Sequence, residues 1–539
     1  MNLIKATGTI GGLTLISRVA GLARDMLAAS YVGAGLASDA FQVAWRLPNM
    51  FRALFAEGAF AAVFVPLFNR TMAEGDAEEE GSGHAKAIAF ASQVLSALLP
   101  FLILFTLIFI AAAVWIVYAI TGGFPDGGPA KFDLAVNLTR ITFPYLALIS
   151  VVSLLGGILN SLNRFWVNAA APILLNICMI IALIFFHGDS PEETVYVQAI
   201  AVTVSGVLQL AWLWWSCVRA GVRLRLQRPQ LSPKVREMLR LIGPAAIGQG
   251  AIQINLVIST ALAAQFLAQG AISYIYYADR LNQLPLGLIG IGIGTVILPS
   301  LSRLIGGGYE EEAKTQQNRA MELALFLSLP AAVALVVSAF PIVRGVFEHG
   351  HFLPRDTAGT AAVLAAFSYG VPAYVLIKVL TPGFYARTDT KTPVRIALVA
   401  MLVNLGLNLL FILVLKQGVE SIAISTAIAA WVNFALLYWV LHRRGQFRFD
   451  GRFTGKALRI MLAAAAMGVA LWFLNPYAVP WMTGPLAARV IALSILVGIG
   501  LVVYIIATFA FRAYTLGELK AALRRQPAPA ATPPATEES

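Results

Sequence analysis

Charged residues are scarce in this sequence. They make up 12% of its 539 residues, while hydrophobic residues make up 59%, and about 25% of a typical soluble domain is charged. A soluble fold of this length would leave much of that apolar sequence in water, at a cost that grows with the exposed apolar area. The composition therefore excludes a soluble globular protein and predicts a polytopic membrane protein.

Cysteine and histidine are also rare, with two and five residues respectively. Cys178 and Cys217 both fall inside apolar runs, which argues against a disulfide framework. His349 and His351 are separated by a single residue, and no zinc-ligand spacing surrounds them. The predicted cytoplasmic loops contain no acidic cluster that could hold Mg²⁺ for phosphate chemistry. The sequence thus predicts no cofactor and no enzymatic active site.

Apolar stretches long enough to cross a bilayer, about 20 residues each, recur along the whole chain. We predict an all-α polytopic membrane protein with fourteen transmembrane helices, and this even number puts both termini on the same side. The predicted spans are 8–31, 36–69, 88–120, 133–159, 165–186, 194–218, 238–263, 271–302, 320–341, 357–385, 393–415, 420–441, 457–478 and 485–511.

The placement of Lys and Arg predicts the orientation of these spans. With the N-terminus in the cytoplasm, the predicted external loops hold only Lys131, Arg344, Arg355 and Lys416, and most of the other basic residues fall in cytoplasmic segments. This bias predicts an N-in, C-in topology. The net charge of +12 is then explained by basic loops beside anionic membrane lipids, and no nucleic-acid partner is predicted.

The chain contains an internal repeat. Residues 44–49 (AWRLPN) resemble residues 278–283 (ADRLNQ), and residues 66–70 (PLFNR) resemble residues 299–303 (PSLSR). Each repeat unit has six predicted spans and starts on the same side, so the two are parallel repeats, an arrangement typical of alternating-access transporters. The predicted divisions are an N-terminal lobe (1–220), a C-terminal lobe (221–445), two extra helices (446–512) and a largely disordered cytoplasmic tail (513–539).

Residues 17–66 concentrate charge within apolar sequence. One charge at the centre of a lipid-facing helix costs about 2.5–3.5 kcal/mol or more, so these side chains are expected to line a wet cavity inside the protein. Helical spacing puts Arg18 near Asp25 on one helix face, and it puts Asp39 near Arg46 on another. This spacing suggests that Asp25, Asp39 and Glu57 each hold an arginine. The charged residues are Arg18, Arg24, Asp25, Asp39, Arg46, Arg52 and Glu57.

Several arginines without a metal-binding motif favour an anionic ligand. The guanidinium is permanently charged and its planar fork matches phosphate in a bidentate way, so a diphosphate head group on a lipid is the favoured ligand. Through the repeat, Arg280 joins the set from the second lobe, and Lys378 lies inside another predicted span. The alternative is that every arginine is simply paired with a neighbouring carboxylate or reaches the membrane interface.

Five sequence blocks carry a resemblance to a known family. The chain is similar over its whole length to the MurJ/MviN family of bacterial lipid II flippases, in the MOP superfamily. The blocks are SRVAGLARD (17–25), ASDAF (37–41), RLPNMFRALFAEGAFAAVFVP (46–66), YYADRL (276–281) and PGFYARTDTKTPV (382–394).

The resemblance implies a protein of the bacterial inner membrane that is a transporter and not an enzyme. It would carry lipid II, the undecaprenyl-diphosphate-linked peptidoglycan precursor, from the cytoplasmic to the periplasmic leaflet. The extra pair of helices would form a groove for the lipid tail, and other cell-wall synthesis and division proteins are further candidate partners. By position, the implied substrate-binding residues are Arg18, Arg24, Arg52 and Arg280, with supporting acidic residues Asp25, Asp39 and Glu57.

Sodium coupling is in doubt on the sequence. Some members of the family hold Na⁺ in the C-terminal lobe with carboxylates, whereas the matching positions here are the neutral Asn255, Asn404 and Asn408. Membrane potential is the alternative energy source. Two other functions stay open: a related exporter of another lipid-linked oligosaccharide or of drugs, and a non-transporting scaffold for cell-wall synthesis.

Overall fold

A computed structural model describes residues 3–55, 59–79, 81–515 and 517 of the chain. Within those residues the regular structure is entirely helical, which confirms the predicted all-α membrane class. Glu57 lies outside the described residues, and so does most of the tail predicted to be disordered.

In the described part of the chain, nine helices precede the basic linker of residues 220–232. Several begin at a sequence signal for a helix start; for example, Pro191 takes the first turn of its helix while the Ser190 hydroxyl accepts a hydrogen bond from the backbone N–H of Glu193. The helices are α1 (Leu3–Val32), α2 (Leu36–Phe55), α3 (Ala59–Glu78), α4 (Gly83–Ala111), α5 (Ala113–Thr121), α6 (Gly128–Thr142), α7 (Pro144–Ser161), α8 (Phe165–Phe185) and α9 (Pro191–Arg219).

The second part of the chain continues after residues 220–232 and is also helical. A π-helical turn, Leu410–Val414, extends one of its helices, and a short 3₁₀ segment, Val479–Thr483, joins the last two. The helices are α10 (Pro233–Phe266), α11 (Ala271–Gly306), α12 (Glu310–Val337), α13 (Ala339–Phe347), α14 (Pro354–Ser368), α15 (Val371–Tyr385), α16 (Lys391–Leu409), α17 (Glu420–Arg443), α18 (Gly451–Ala478) and α19 (Leu486–Ala510).

The described residues contain 11 helices, or continuous helix pairs, that are long and apolar enough to cross a membrane. Three of the predicted spans, 8–31, 36–69 and 238–263, fall on α1, α2–α3 and α10, which are helical but not among those 11. In α1 and α2 the reason is the set of charged side chains that lowers the hydropathy. The membrane class is confirmed, and the count of fourteen stays a prediction.

One end of the helix bundle is closed by contacts between the two parts of the chain. The backbone N–H of His351 donates to the carbonyl oxygen of Ser30 at 2.8 Å, and the Tyr277 hydroxyl donates to the carbonyl of Gly33 at 3.3 Å. Gly33 has φ +75°, and a Cβ there would lie 2.4 Å from the carbonyl oxygen of His351. Only glycine therefore fits this close approach of backbone to backbone.

Candidate functional site

The centre of the site is the carboxylate of Asp25, on α1. Its oxygen Oδ1 accepts hydrogen bonds from Arg24 Nη2 at 2.6 Å and Arg24 Nε at 3.0 Å, while Oδ2 accepts from Arg280 Nε. The side chain of Asp25 is 2% exposed, against 8% for Arg24 and 31% for Arg280. One carboxylate therefore holds an arginine from α1 and an arginine from α11, and the cluster keeps a net charge of +1.

Two neutral side chains complete this cluster, and sequence reasoning did not assign them a role. The Tyr276 hydroxyl donates to Asp25 Oδ1 at 2.9 Å and accepts from Arg24 Nη2 at 3.0 Å. The Asn176 amide oxygen accepts from Arg24 Nη1 at 3.1 Å, and its Nδ2 donates to the carbonyl of Ser17. The sequence held a signal for each of them. Tyr276 lies in the block YYADRL, and Asn176 precedes Asn404 by 228 residues, close to the spacing of the repeat.

Arg18 lies at a different level of the bundle. Its Nη1 donates to the carbonyl oxygen of Gln283 at 3.3 Å, and its guanidinium occupies the space beside Gly287, where an added Cβ would lie 2.1 Å from Nη1. Gly287 follows Arg280 by seven residues on α11, which is about 10 Å along the helix axis. Arg18 is thus not part of the Asp25 cluster, although helical spacing had suggested that Arg18 and Asp25 share a face.

Arg52 and Arg46 lie on α2. Arg52 Nε donates to the Asn49 side-chain oxygen at 3.0 Å, one turn earlier in the same helix. Arg46 Nε donates to the Thr260 hydroxyl at 3.0 Å on α10. The supporting acid predicted beside them, Glu57, falls outside the described residues.

Asp39 has a partner that differs from the predicted one. Its carboxylate, 1% exposed, pairs with Lys131 Nζ at 3.0 Å, and Lys131 also pairs with Asp126 at 2.9 Å. Among the described contacts of Asp39 there is no arginine, so the pairing of Asp39 with an arginine is corrected. Lys131 is itself 1% exposed and lies over the Phe124 ring, whereas the sequence had suggested a loop residue.

Asp39 also binds the beginning of α11. Its oxygens accept from the backbone N–H of Gly270 at 2.7 Å, from the backbone N–H of Ser273 at 2.9 Å and from the Ser273 hydroxyl at 2.6 Å. The first N–H groups of a helix have no partner within the helix, and its N-terminal dipole favours an anion. Asp39 therefore acts as a cap supplied from α2, and it ties α2 to α11 at the closed end of the bundle.

The candidate Na⁺ ligands carry no charge. Asn408 Nδ2 donates to Asn404 Oδ1 at 3.1 Å, and Asn404 Nδ2 donates to the Thr426 hydroxyl at 3.2 Å. Asn408 Oδ1 is buried and makes no hydrogen bond within the described residues, so this pair offers one unused oxygen. No described hydrogen bond joins Asn255 to either residue, and the described residues contain no group of three or more His, Cys, Asp or Glu side chains able to hold a metal ion.

An apolar groove lies on the outside of the second part of the chain. It has a volume of about 610 Å³ and is lined by side chains of α11, α12, α18 and α19, including Pro285, Pro330, Leu471 and Leu501. Helices α18 and α19 pack against each other through residues such as Ala464 and Tyr504. The groove begins on α11, the helix that carries Arg280, so the charged centre and the apolar groove share one helix.

The block 382–394 joins the end of α15 to α12 and α17 through ion pairs, and none of its described ion pairs involves the Asp25 cluster. The Arg387 guanidinium donates to the carbonyl of Gly383 at 2.8 Å and pairs with Glu310. Asp389, in the loop between α15 and α16, accepts from Arg444 at 2.7 Å. Hydrogen bonds from Arg444 and Thr392 hold the pKa of the Asp389 carboxyl well below its usual range. The residues of this block therefore have a structural role.

Comparison with known proteins agrees with this architecture. A profile of the family described as "Lipid II flippase MurJ" matches residues 28–511. The chain belongs to the lipid II flippase MurJ family. Two of its MurJ relatives are named probable lipid II flippases: the protein of Rhizobium tropici is 40% identical over 98% of each chain, and that of Vibrio cholerae is 38% identical over 96% of this chain and 98% of its own.

Solved structures place this MurJ-family fold in a wider group. A lipid II flippase MurJ in an inward closed conformation has a TM-score of 0.75 at 24% identity, over 93% of this chain and 98% of its own. A multidrug resistance MATE family transporter of the MOP superfamily, in an inward-facing conformation, has a TM-score of 0.64 at 15% identity over 81% and 97% of the two chains. The bundle is therefore the one that these two kinds of transporter share.

Proposed function

We propose that this protein translocates lipid II across the bacterial inner membrane, from the cytoplasmic to the periplasmic leaflet. Family membership supports the substrate, since the relatives are named for lipid II. The observation that carries the proposal is the cluster in which Arg24 and Arg280, from the two parts of the chain, share the single carboxylate of Asp25. The function is transport without covalent chemistry.

The proposed mechanism is alternating access. The diphosphate of lipid II enters a cavity lined by Arg18, Arg24, Arg52 and Arg280, whose guanidinium groups replace its lost hydration. Competition between the diphosphate and Asp25 for the same arginines weakens the contact between α1 and α11 while the ligand is bound. After release, Asp25 pairs with both arginines again and resets the empty carrier. In this scheme the closed end, at Asp39 and the beginning of α11, faces the periplasm, and both termini lie in the cytoplasm.

The apolar groove is proposed to hold the undecaprenyl tail during this movement. A polyprenyl chain is apolar along its whole length, and burial of each methylene contributes about 0.8 kcal/mol. The groove is lined almost entirely by apolar atoms and lies on the outside of α11, α12, α18 and α19. The tail therefore stays in an apolar environment while the charged head group crosses inside the protein.

Reconstitution tests the proposed function directly. Purified full-length protein in liposomes with labelled lipid II is expected to expose the lipid at the opposite leaflet faster than protein-free liposomes. Parallel reactions with an imposed membrane potential, with a Na⁺ gradient and with neither would identify the energy source, because one charge moved through 100 mV is worth about 2.3 kcal/mol. If the lipid never changes leaflet under any of the three conditions, the protein is not a lipid II transporter, and the scaffold alternative gains support.

A related exporter of another substrate is the second candidate, and the fold shared with the MATE transporter supports it. The same liposomes separate the two functions when lipid II, undecaprenyl phosphate and a cationic drug are compared. We expect transport of lipid II alone.

Filling the groove gives a further prediction. Leu501 lines the groove, whereas its neighbour Val502 is equally exposed, at 55% against 56%, and does not. Leu501→Trp is expected to lower the initial rate of lipid II transport several-fold, because the larger ring occupies volume proposed for the tail. Val502→Trp serves as the matched control and should transport at the rate of the unchanged protein. Equal transport rates for the two variants would show that the groove does not hold the lipid tail during transport.

A further inference from the structure

Lys378 is a charged side chain that the proposed transport mechanism leaves without a role. It lies inside α15, where its neighbours Val375, Val379 and Leu380 are fully buried, yet Lys378 itself is exposed. An ammonium group within a membrane-spanning helix is expensive unless it faces water or has a partner. In the described part of the chain Lys378 makes no ion pair and no hydrogen bond, so it faces a water-accessible space inside the bundle.

The position of the Lys378 head group is fixed by a glycine of α11. A Cβ on Gly290 would lie 2.5 Å from Lys378 Nζ and 2.8 Å from its Cδ, just as a Cβ on Gly287 would lie 2.1 Å from Arg18 Nη1. Gly287 and Gly290 are three residues apart, so they are neighbours on one helix face and their Cβ positions would be about 5–6 Å apart. Two cationic heads, one from α1 and one from α15, therefore lie side by side on a glycine surface of α11.

These two cations differ from the arginines of the Asp25 cluster. Arg24 and Arg280 share a carboxylate, whereas neither Arg18 nor Lys378 has an acidic partner within the described residues. Arg18 and Lys378 are also close enough for their charges to repel each other. A pair of uncompensated positive charges is a binding site for an anion, since the anion removes the repulsion and supplies the missing partner.

We propose that Arg18 and Lys378, seated on Gly287 and Gly290, form the diphosphate-binding pair of this conformation. The proposal rests on the proposed function and names the site at which the head group of the lipid binds first. The separation of the two heads suits the two phosphoryl groups of one diphosphate, and each cation takes one of them. The Asp25 cluster, about 10 Å away along α11, receives the anion only when its own ion pairs open.

Binding of undecaprenyl diphosphate to the purified full-length protein tests this site. Lys378→Gln is expected to weaken binding about tenfold or more, because the diphosphate loses a hydrogen bond from a charged group and only Arg18 of the pair remains to bind it. Lys378→Arg should restore most of the affinity, since it keeps the charge. Lys391→Gln, which removes an exposed lysine at the beginning of the next helix, is the matched control and should bind normally. Undecaprenol, which has no phosphate, should bind all these proteins equally.

A second pair of variants tests the site without removing a charge. Gly290→Ala places a methyl group where the Lys378 head lies, and it is expected to weaken binding of undecaprenyl diphosphate several-fold. Gly292→Ala, where no heavy atom lies within 4 Å of the added Cβ, should leave the affinity unchanged. Normal affinity in both Lys378→Gln and Gly290→Ala would overturn the inference while the proposed function stands. Failure of the unchanged protein to bind either undecaprenyl diphosphate or lipid II would instead overturn the proposed function, and this inference with it.

Discussion

Asp25→Asn is expected to destabilise the protein by about 3–5 kcal/mol, the cost of breaking a buried ion pair by removing one partner. The substitution preserves the size of the side chain but leaves Arg24, only 8% exposed, beside Arg280 with no negative charge between them. Two effects add: a buried guanidinium loses its counter-ion, and two like charges repel. The measurement is the thermal midpoint of the purified protein in detergent, with lipid II transport scored in the same preparation.

The control for this prediction is Arg280→Gln. It removes one positive charge but leaves the Asp25–Arg24 pair intact, so the loss of stability should be clearly smaller. In the double variant Asp25→Asn/Arg280→Gln, Arg24 has no second arginine beside it, so the repulsion between two like charges is absent. The combined loss of stability should therefore be less than the sum of the two single losses. An unchanged thermal midpoint for Asp25→Asn would show that the cluster does not hold α1 and α11 together.

Asp39→Asn is expected to open the closed end of the bundle. The neutral amide can no longer pair with the buried Lys131, and it gives a weaker cap to the N–H groups of Gly270 and Ser273 at the beginning of α11. Loss of one partner from a buried ion pair costs about 3–5 kcal/mol, and about 5.5 kcal/mol turns a 1:99 population into 99:1. The substitution should therefore shift most molecules away from the closed arrangement.

Distances between spin labels measure this shift. Labels at the exposed Ala130 and Arg355, with Cys178 and Cys217 replaced, report across the closed end. The distribution for Asp39→Asn should gain a longer component that dominates. Asp126→Asn is the matched control, because it removes the other carboxylate of Lys131 but keeps the Asp39 pair, and its distribution should resemble that of the unchanged protein. If Asp39→Asn has the same distance distribution as this control, Asp39 does not hold this end of the bundle closed.

Short-range sequence patterns predicted the parts of the fold that depend on neighbours along one helix. Hydropathy predicted the helices, since crossing a bilayer needs an unbroken apolar run and internal backbone hydrogen bonds. The repeat brought Arg280 into the site, and the structure indeed joins it to Asp25. The count of fourteen spans was harder to test, because the charged side chains of α1 and α2 lower the hydropathy of these helices.

Partners of the charged side chains could not be predicted in the same way. Helical spacing suggested that Asp25 faces Arg18 and that Asp39 faces Arg46, since each pair is separated by seven residues. The actual partner of Asp39 is Lys131, which is 92 residues away, together with Ser273 at 234 residues. Spacing along one helix says nothing about which other helix packs against it.

The sequence by itself determined the class of the protein, because apolar length, the scarcity of charge and the five family blocks are properties of the chain that need no contact map. It also predicted that the charged side chains of residues 17–66 avoid lipid, since the cost of a charge in lipid does not depend on its partner. Only the tertiary structure decided how those charges are divided. Arg24 and Arg280 share one carboxylate, and Arg18 lies beside Lys378 on two glycines, because these arrangements arise where helices distant in sequence meet.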